Sequence, residues 1–128
     1  MTRKHHLADL QLAIMQVIWK RGEATVAEVQ QDLAPRRDLA YTTVATMLKK
    51  MEHKGVVAHR ANGRTFVYRP LIHRNQVRGS MVGDLVERLF AGDAAELVCH
   101  LLEADQIEPA ELARVKALID RKEKQRAR

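Results

Sequence analysis

The dipeptide Asn62-Gly63, reached after three stretches of helical hydrophobic spacing, constrains this chain more than any other feature. Asn-Gly accepts positive φ at both positions, so between two β-prone runs it is the strongest short-range hairpin signal. The runs are residues 56–60 and 65–69. A two-residue loop at Asn62-Gly63 pairs His59 with Phe66 and Val57 with Tyr68, with all four on the face turned to the helices. Upstream, Leu10, Ala13, Ile14, Val17 and Ile18 follow the i, i+3, i+4, i+7, i+8 spacing of an amphipathic helix that Trp19 closes. Thr25-Val-Ala-Glu28 opens a second helix with a capping-box pattern, and Val26, Val29 and Leu33 form its apolar face. A third, over residues 40–54, turns Val44, Met47, Leu48 and Met51 inward. Three helices and a hairpin in this order predict a winged helix-turn-helix.

Glycine and proline mark the boundaries. Gly22, Gly55 and Gly92 each follow a helical pattern where a left-handed residue is wanted, and Pro109 suits the first position of a helix. Beyond Pro70, residues 71–91 carry Val77, Met81, Val82, Leu85, Leu89 and Phe90. Asp93-Ala-Ala-Glu96 opens a short helix with Leu97, Val98, Leu101 and Leu102, and a last one from Pro109 runs on Leu112, Val115, Leu118 and Ile119 into a charged tail. The expected fold is mainly α with a small β-hairpin: a winged helix-turn-helix domain over 1–70, then a three-helix dimerisation domain over 71–128.

Charge separates the same two halves. Residues 1–70 hold 12 basic and 6 acidic side chains, whereas 71–128 hold 10 of each. Within the first half the surplus lies in residues 36–69, with 8 basic against 2 acidic. A basic segment of this kind suits a polyanion, and nucleic acid is the natural one. No apolar run approaches the ~20 residues of a spanning helix, and the basic N-terminus lacks the apolar core of a secretory signal, so a cytoplasmic protein without membrane insertion is expected. One cysteine, Cys99, excludes an intrachain disulfide and a one-chain cysteine cluster for metal. No Gly-rich phosphate loop, nucleophile elbow or zinc-protease His-Glu signature is present, so neither an enzyme nor a cofactor is expected.

The third helix suits DNA recognition. Opposite its apolar stripe lie Thr42, Thr46, Lys49, Lys50 and His53, with Thr43 nearby. Short hydroxyls near the start of such a helix meet base edges or thymine methyls, while lysines further along reach phosphates. Arg60, Asn62 and Arg64 on the wing face flanking backbone or a minor groove. Two other readings stay open: a winged-helix protein-interaction module, and a repressor sensing a small molecule through its C-terminal half. The five aromatics make an aromatic-lined pocket less attractive.

The stretches Leu7-Ala-Asp-Leu-Gln-Leu-Ala-Ile-Met-Gln-Val-Ile-Trp19, Thr25-Val-Ala-Glu-Val, Leu39-Ala-Tyr-Thr-Thr-Val-Ala-Thr-Met-Leu-Lys-Lys-Met51, Lys54-Gly-Val-Val and Phe66-Val-Tyr-Arg-Pro70 resemble the penicillinase-repressor (BlaI/MecI/CopY) family. The Tyr-Thr-Thr-Val block and the Lys-Gly turn are the most specific parts. The resemblance implies a homodimeric transcriptional repressor on a double-stranded DNA operator, with Thr42, Thr43 and Thr46 at base-reading positions. Ala45 departs from members that carry Arg there. The candidate DNA-binding set is Tyr41, Thr42, Thr43, Thr46, Lys49, Lys50, Arg60, Asn62 and Arg64.

Fifty-eight residues in three helices bury little core alone, so a second copy is the economical cover for their apolar stripes. The candidate dimer residues are Val77, Met81, Leu85, Leu89, Leu97, Leu101, Val115 and Ile119. Gly79 and Gly83 either admit a close backbone or only weaken their helix, by about 1 kcal/mol each. Antibiotic-responsive members of the resembled family are inactivated by a cut at an Asn-Phe pair, where this chain has His100-Leu101; a membrane sensor-protease is the partner this implies. Copper-responsive members carry Cys-x-Cys motifs, which are absent here. Cys99 and His100 point about 100° apart on a helix and make a poor chelating pair. Cys99 is expected to be a buried small hydrophobe, with a metal or redox role as the alternative.

Overall fold

The computed structural model describes residues 7–104 and 107–127. Its elements are α1 (Asp9–Arg21), β1 (Ala24–Thr25), α2 (Val26–Leu33), α3 (Tyr41–His53), β2 (Val57–Asn62), β3 (Thr65–Pro70), α4 (Arg74–Phe90), α5 (Ala94–Glu103) and α6 (Pro109–Arg126). They fall into two units, one ending at Val82 and one beginning at Gly83.

In the first unit the apolar faces of three helices meet a small sheet. Ile14 and Ile18 of α1, Val29 of α2, and Val44, Leu48 and Met51 of α3 are buried with Val57 and Tyr68. Met15 and Gln11 are buried as well, beyond the stripe that spacing predicted. Gln11 enters because its Nε2 finds Met47 Sδ at 3.5 Å, giving a part-buried donor a weak acceptor. The predicted capping box of α2 is complete: Glu28 N–H donates to Thr25 Oγ1 at 3.1 Å, and Thr25 N–H donates to Glu28 Oε1 at 2.9 Å.

The sheet is antiparallel with order β1-β3-β2. β1 was not anticipated, because two residues are too few to show alternation and Thr25 reads as a helix cap; it is both, since it also pairs with Val67. The hairpin register also differs from expectation. Asn62 pairs with Thr65 and His59 with Tyr68, so the loop is Gly63-Arg64. Gly63 has φ +65°, while neither Asn62 nor Arg64 has positive φ. Left-handed backbone at the first loop position alone is the demand of a II′ turn, which glycine meets without strain. The shift moves each pair by two residues and therefore preserves the face: His59 still stacks on Phe66, with ring centroids 4.3 Å apart, and on Tyr68 at 5.6 Å.

Two devices fix where α3 ends and the wing begins. Val56 N–H donates to Met51 O and Gly55 N–H to Glu52 O, both at 3.0 Å, the paired bonds of a Schellman motif, with Gly55 at φ +82°. Nothing stands within 4 Å of a Cβ added at Gly55, so Gly55→Ala carries a purely conformational penalty. We expect a loss of about 1–2 kcal/mol in chemical denaturation, with unchanged m-value. Glu52 also reaches forward, its carboxylate oxygens lying 2.6 and 2.8 Å from His59 Nδ1 on β2.

Arg21 ties α1 to α2 through Asp32, at 2.7 and 2.8 Å, and Glu28, at 2.9 Å. Hydrogen bonding to Arg21 holds the Asp32 carboxyl below its ordinary value, and the Thr25 N–H does the same for Glu28. A carboxylate depressed in the folded state stabilises fully above the unfolded carboxylate range, near ~4, and stops doing so as pH falls through the folded values. The melting temperature should therefore fall between pH 6 and pH 3, and by less in Arg21→Ala; an equal fall in both proteins would remove this clip from the account.

The first unit extends past Pro70. Trp19 Nε1 donates to Ile72 O at 3.0 Å, Leu71 N–H donates to Val56 O at 2.9 Å, and Ile72 and Val77 are buried in the same core. Val77, expected on a dimer-facing stripe, is 1% exposed and already covered by its own chain. Its place in the first turn of α4, beside the helices of the first unit, is the reason.

The second unit differs in kind. None of its described residues is buried. Leu85, Leu89, Val98, Leu101, Leu102, Leu118 and Ile119 are exposed, and Leu97 and Val115 are half-buried. Asp93 caps α5 by accepting from Glu96 N–H at 3.2 Å, and Pro109 begins α6 as anticipated. Cys99 is exposed, contrary to expectation, because its unit has no interior to receive it; its Sγ lies 3.4 Å from Glu103 Oε1, a contact that raises the thiol's pKa. Gly79 and Gly83 have nothing within 4 Å of an added Cβ, so no backbone of this chain approaches them closely.

Candidate nucleic-acid interface

The face of α3 turned away from the core is polar and basic. Tyr41, Thr42, Thr43, Thr46, Lys49 and Lys50 are all exposed, while Val44, Leu48 and Met51 on the opposite side hold the helix to the core. Thr46, Lys49, Lys50, His53 and Lys54 line one open depression of about 450 Å³. Lys54, the C-cap residue of α3, was not in the expected set.

The N-terminus of α3 is bare. Ala40 at the N-cap offers no side-chain acceptor; Thr43 N–H turns back to Ala40 O at 3.1 Å, which leaves the N–H groups of Tyr41 and Thr42 for an anion such as phosphate. The loop before it is anchored by Gln30 Nε2, which donates to Leu39 O at 3.0 Å, and it carries Arg36 and Arg37, both exposed. These arginines escaped the motif reading, although the charge run itself was their signal. Asn62 and Arg64 are exposed at the wing tip. Arg60 instead donates to Glu23 Oε1 at 2.8 Å, so a phosphate contact there requires exchanging one anion for another. An exposed pair of this kind is worth at most about 1 kcal/mol, which leaves the exchange open.

Below the wing, Tyr68 is 2% exposed, and burial pushes its phenol pKa up, so the ring remains neutral. Among the described residues no group of His, Cys, Asp or Glu is placed to hold a metal, and no helix is long and apolar enough to cross a membrane.

Three helices, a two-sided wing and a basic exposed face on the third helix define a winged-helix DNA-binding protein. Residues 7–121 match the family model described as penicillinase repressor. The transcriptional regulator BlaI of Mycobacterium tuberculosis is 36% identical over 105 residues, 80% of this chain and 76% of that protein. The penicillinase repressor of Bacillus licheniformis is 30% identical over 106 residues, 83% of each. Among solved structures, the DNA-binding domain of the repressor BlaI superimposes with a TM-score of 0.51 at 33% identity, covering 59% of this chain and 93% of that one. The Bacillus licheniformis BlaI monomeric form in complex with the blaP half-operator gives 0.50 over the same shares, also at 33% identity. The chain belongs to the penicillinase-repressor family, whose members are transcriptional repressors rather than enzymes.

Proposed function

We propose that this chain is a homodimeric, cytoplasmic transcriptional repressor that occupies a pseudopalindromic operator and blocks transcription. The observation that carries the reading is the exposed Thr and Lys face of α3, backed by a fully buried apolar face and followed by a wing. Thr42, Thr43 and Thr46 read base edges, with Tyr41 beside them. Lys49, Lys50, Asn62 and Arg64 hold the backbone, joined by Arg60 once it leaves Glu23. The relative solved with a half-operator supports this use of the fold.

The exposed apolar residues of the second unit support the dimer. Leu85, Leu89, Leu97, Leu101, Val115 and Ile119 form its interface in this reading, whereas Met81, expected with them, packs against the core of the first unit; two-fold pairing sets two winged helices on half-sites about 10 bp, or a multiple, apart. An inducing signal then releases the operator. A membrane sensor-protease cutting at His100–Leu101 is the route that the family resemblance suggests; both residues are exposed but lie inside α5, so the cut requires that helix to unwind first.

Electrophoretic mobility of a duplex from the chain's own upstream region, paired with transcription in vitro from that promoter, tests the proposal. Retardation and loss of transcript should occur over the same concentration range. Retardation without loss of transcript would contradict repression by occlusion.

A further inference from the structure

A groove of about 420 Å³ on the first unit, between α1 and the start of α4, has no part in the winged-helix reading. Its size lies within the roughly 300–1,000 Å³ of small-molecule sites. Trp19, Met81 and Val82 give it apolar surface, whereas Lys20, Arg74 and Arg78 bring three cations to its edge. Among the described residues that line it there is no carboxylate. Trp19 is fixed, with Nε1 bonded to Ile72 O at 3.0 Å and the Arg74 guanidinium 6.0 Å from its ring centroid. Val77 is 1% exposed, so this wall is rooted in the core.

Three like charges around the slot repel one another, and its apolar walls are left facing water. One molecule relieves both conditions if it carries an anionic head and an apolar body. We propose that this groove binds an amphipathic organic carboxylate, its head on Arg74, Arg78 and Lys20 and its hydrocarbon against Trp19, Met81 and Val82. Guanidinium groups suit a carboxylate because they donate two parallel N–H bonds to its two oxygens. DNA backbone is the poorer fit, since it brings phosphate without an apolar body to fill the slot.

Trp19 is the single tryptophan of the chain, so its emission reports directly on the groove. The test titrates the full chain with decanoate, follows Trp19 fluorescence, and repeats the titration by calorimetry. Decanoate should give a saturable change, and decanol, which lacks the charge, should bind about tenfold or more weakly. Arg74→Ala/Arg78→Ala should lose about tenfold in decanoate affinity, and Gln16→Phe, which fills the groove from an exposed position while keeping every charge, should lose it too. Circular dichroism confirms folding of each variant. Equal binding of decanoate and decanol, unchanged binding in both variants, or no saturable change overturns the proposal. So does a double variant that loses duplex affinity while binding decanoate as before, since its arginines would then serve the DNA backbone.

Discussion

Leu89→Ala is expected to leave the chain folded while weakening its self-association by about a hundredfold. Leu89 is 70% exposed within its own chain, and surface substitutions of that kind change stability by only about 0.5 kcal/mol. In the proposed dimer it is covered by a second copy, and burying a leucine contributes roughly 1.5–3 kcal/mol. The residue occurs once in each protomer, so losing both contributes at least about 3 kcal/mol, or two factors of ten in the dissociation constant. Sedimentation velocity over a concentration series measures the effect. Val77→Ala supplies the contrast: its side chain belongs to the core of the first unit, so it should lower the unfolding free energy, roughly 1–2 kcal/mol for a small core truncation, and move the dimer constant little. Opposite outcomes for this pair, with Leu89 affecting folding and Val77 affecting association, would contradict the division of roles.

Lys49→Ala/Lys50→Ala should weaken binding to every duplex, operator or random. Each lysine that neutralises a phosphate releases counterions and contributes about 0.9 to the slope of log K against log salt. Losing two should flatten the slope by about 2 and lower affinity roughly thirtyfold at physiological salt. Thr46→Ala is the internal comparison. Thr46 lies one turn nearer the N-terminus of α3, where a base edge is in reach, so its loss should relax preference at one operator position by about 1–3 kcal/mol and leave the slope alone. Equal losses on specific and random DNA for both variants would mean that the α3 face does not divide reading from gripping.

The exposed polar face of α3 was legible in the sequence because it rests on local rules. The spacing of Val44, Leu48 and Met51 fixes which side of α3 faces the core, and the opposite side follows at once. The hairpin was legible in existence but not in register, and of the four residues expected to face the helices only Val57 and Tyr68 are buried, His59 and Phe66 being exposed. Asn-Gly suits a loop with positive φ at both positions, whereas the chain uses Gly63 at the first position and leaves Asn62 in the strand. Pairing β3 between β1 and β2 is a tertiary choice that two residues of β1 could not announce. Val77 shows the same limit from the other direction. Its place in an apolar stripe was plain, but which of two cores the stripe serves depends on the Trp19–Ile72 contact across 53 residues. Cys99 was misread because small hydrophobes usually sit inside, whereas none of the described residues of its unit is buried. Arg60 points to a different lesson: its charge was plain in the sequence, but its partner Glu23, 37 residues away, is brought alongside only by folding.

The most direct test of the central claim is the full chain titrated by anisotropy against its own upstream duplex and a scrambled duplex of equal length, with the mass of the complex taken by sedimentation. A preference of at least about a thousandfold for the upstream duplex is expected at physiological salt, with steep loss of affinity as salt rises and two chains on each duplex. Equal affinity for both duplexes, or one chain per duplex at saturation, would contradict it.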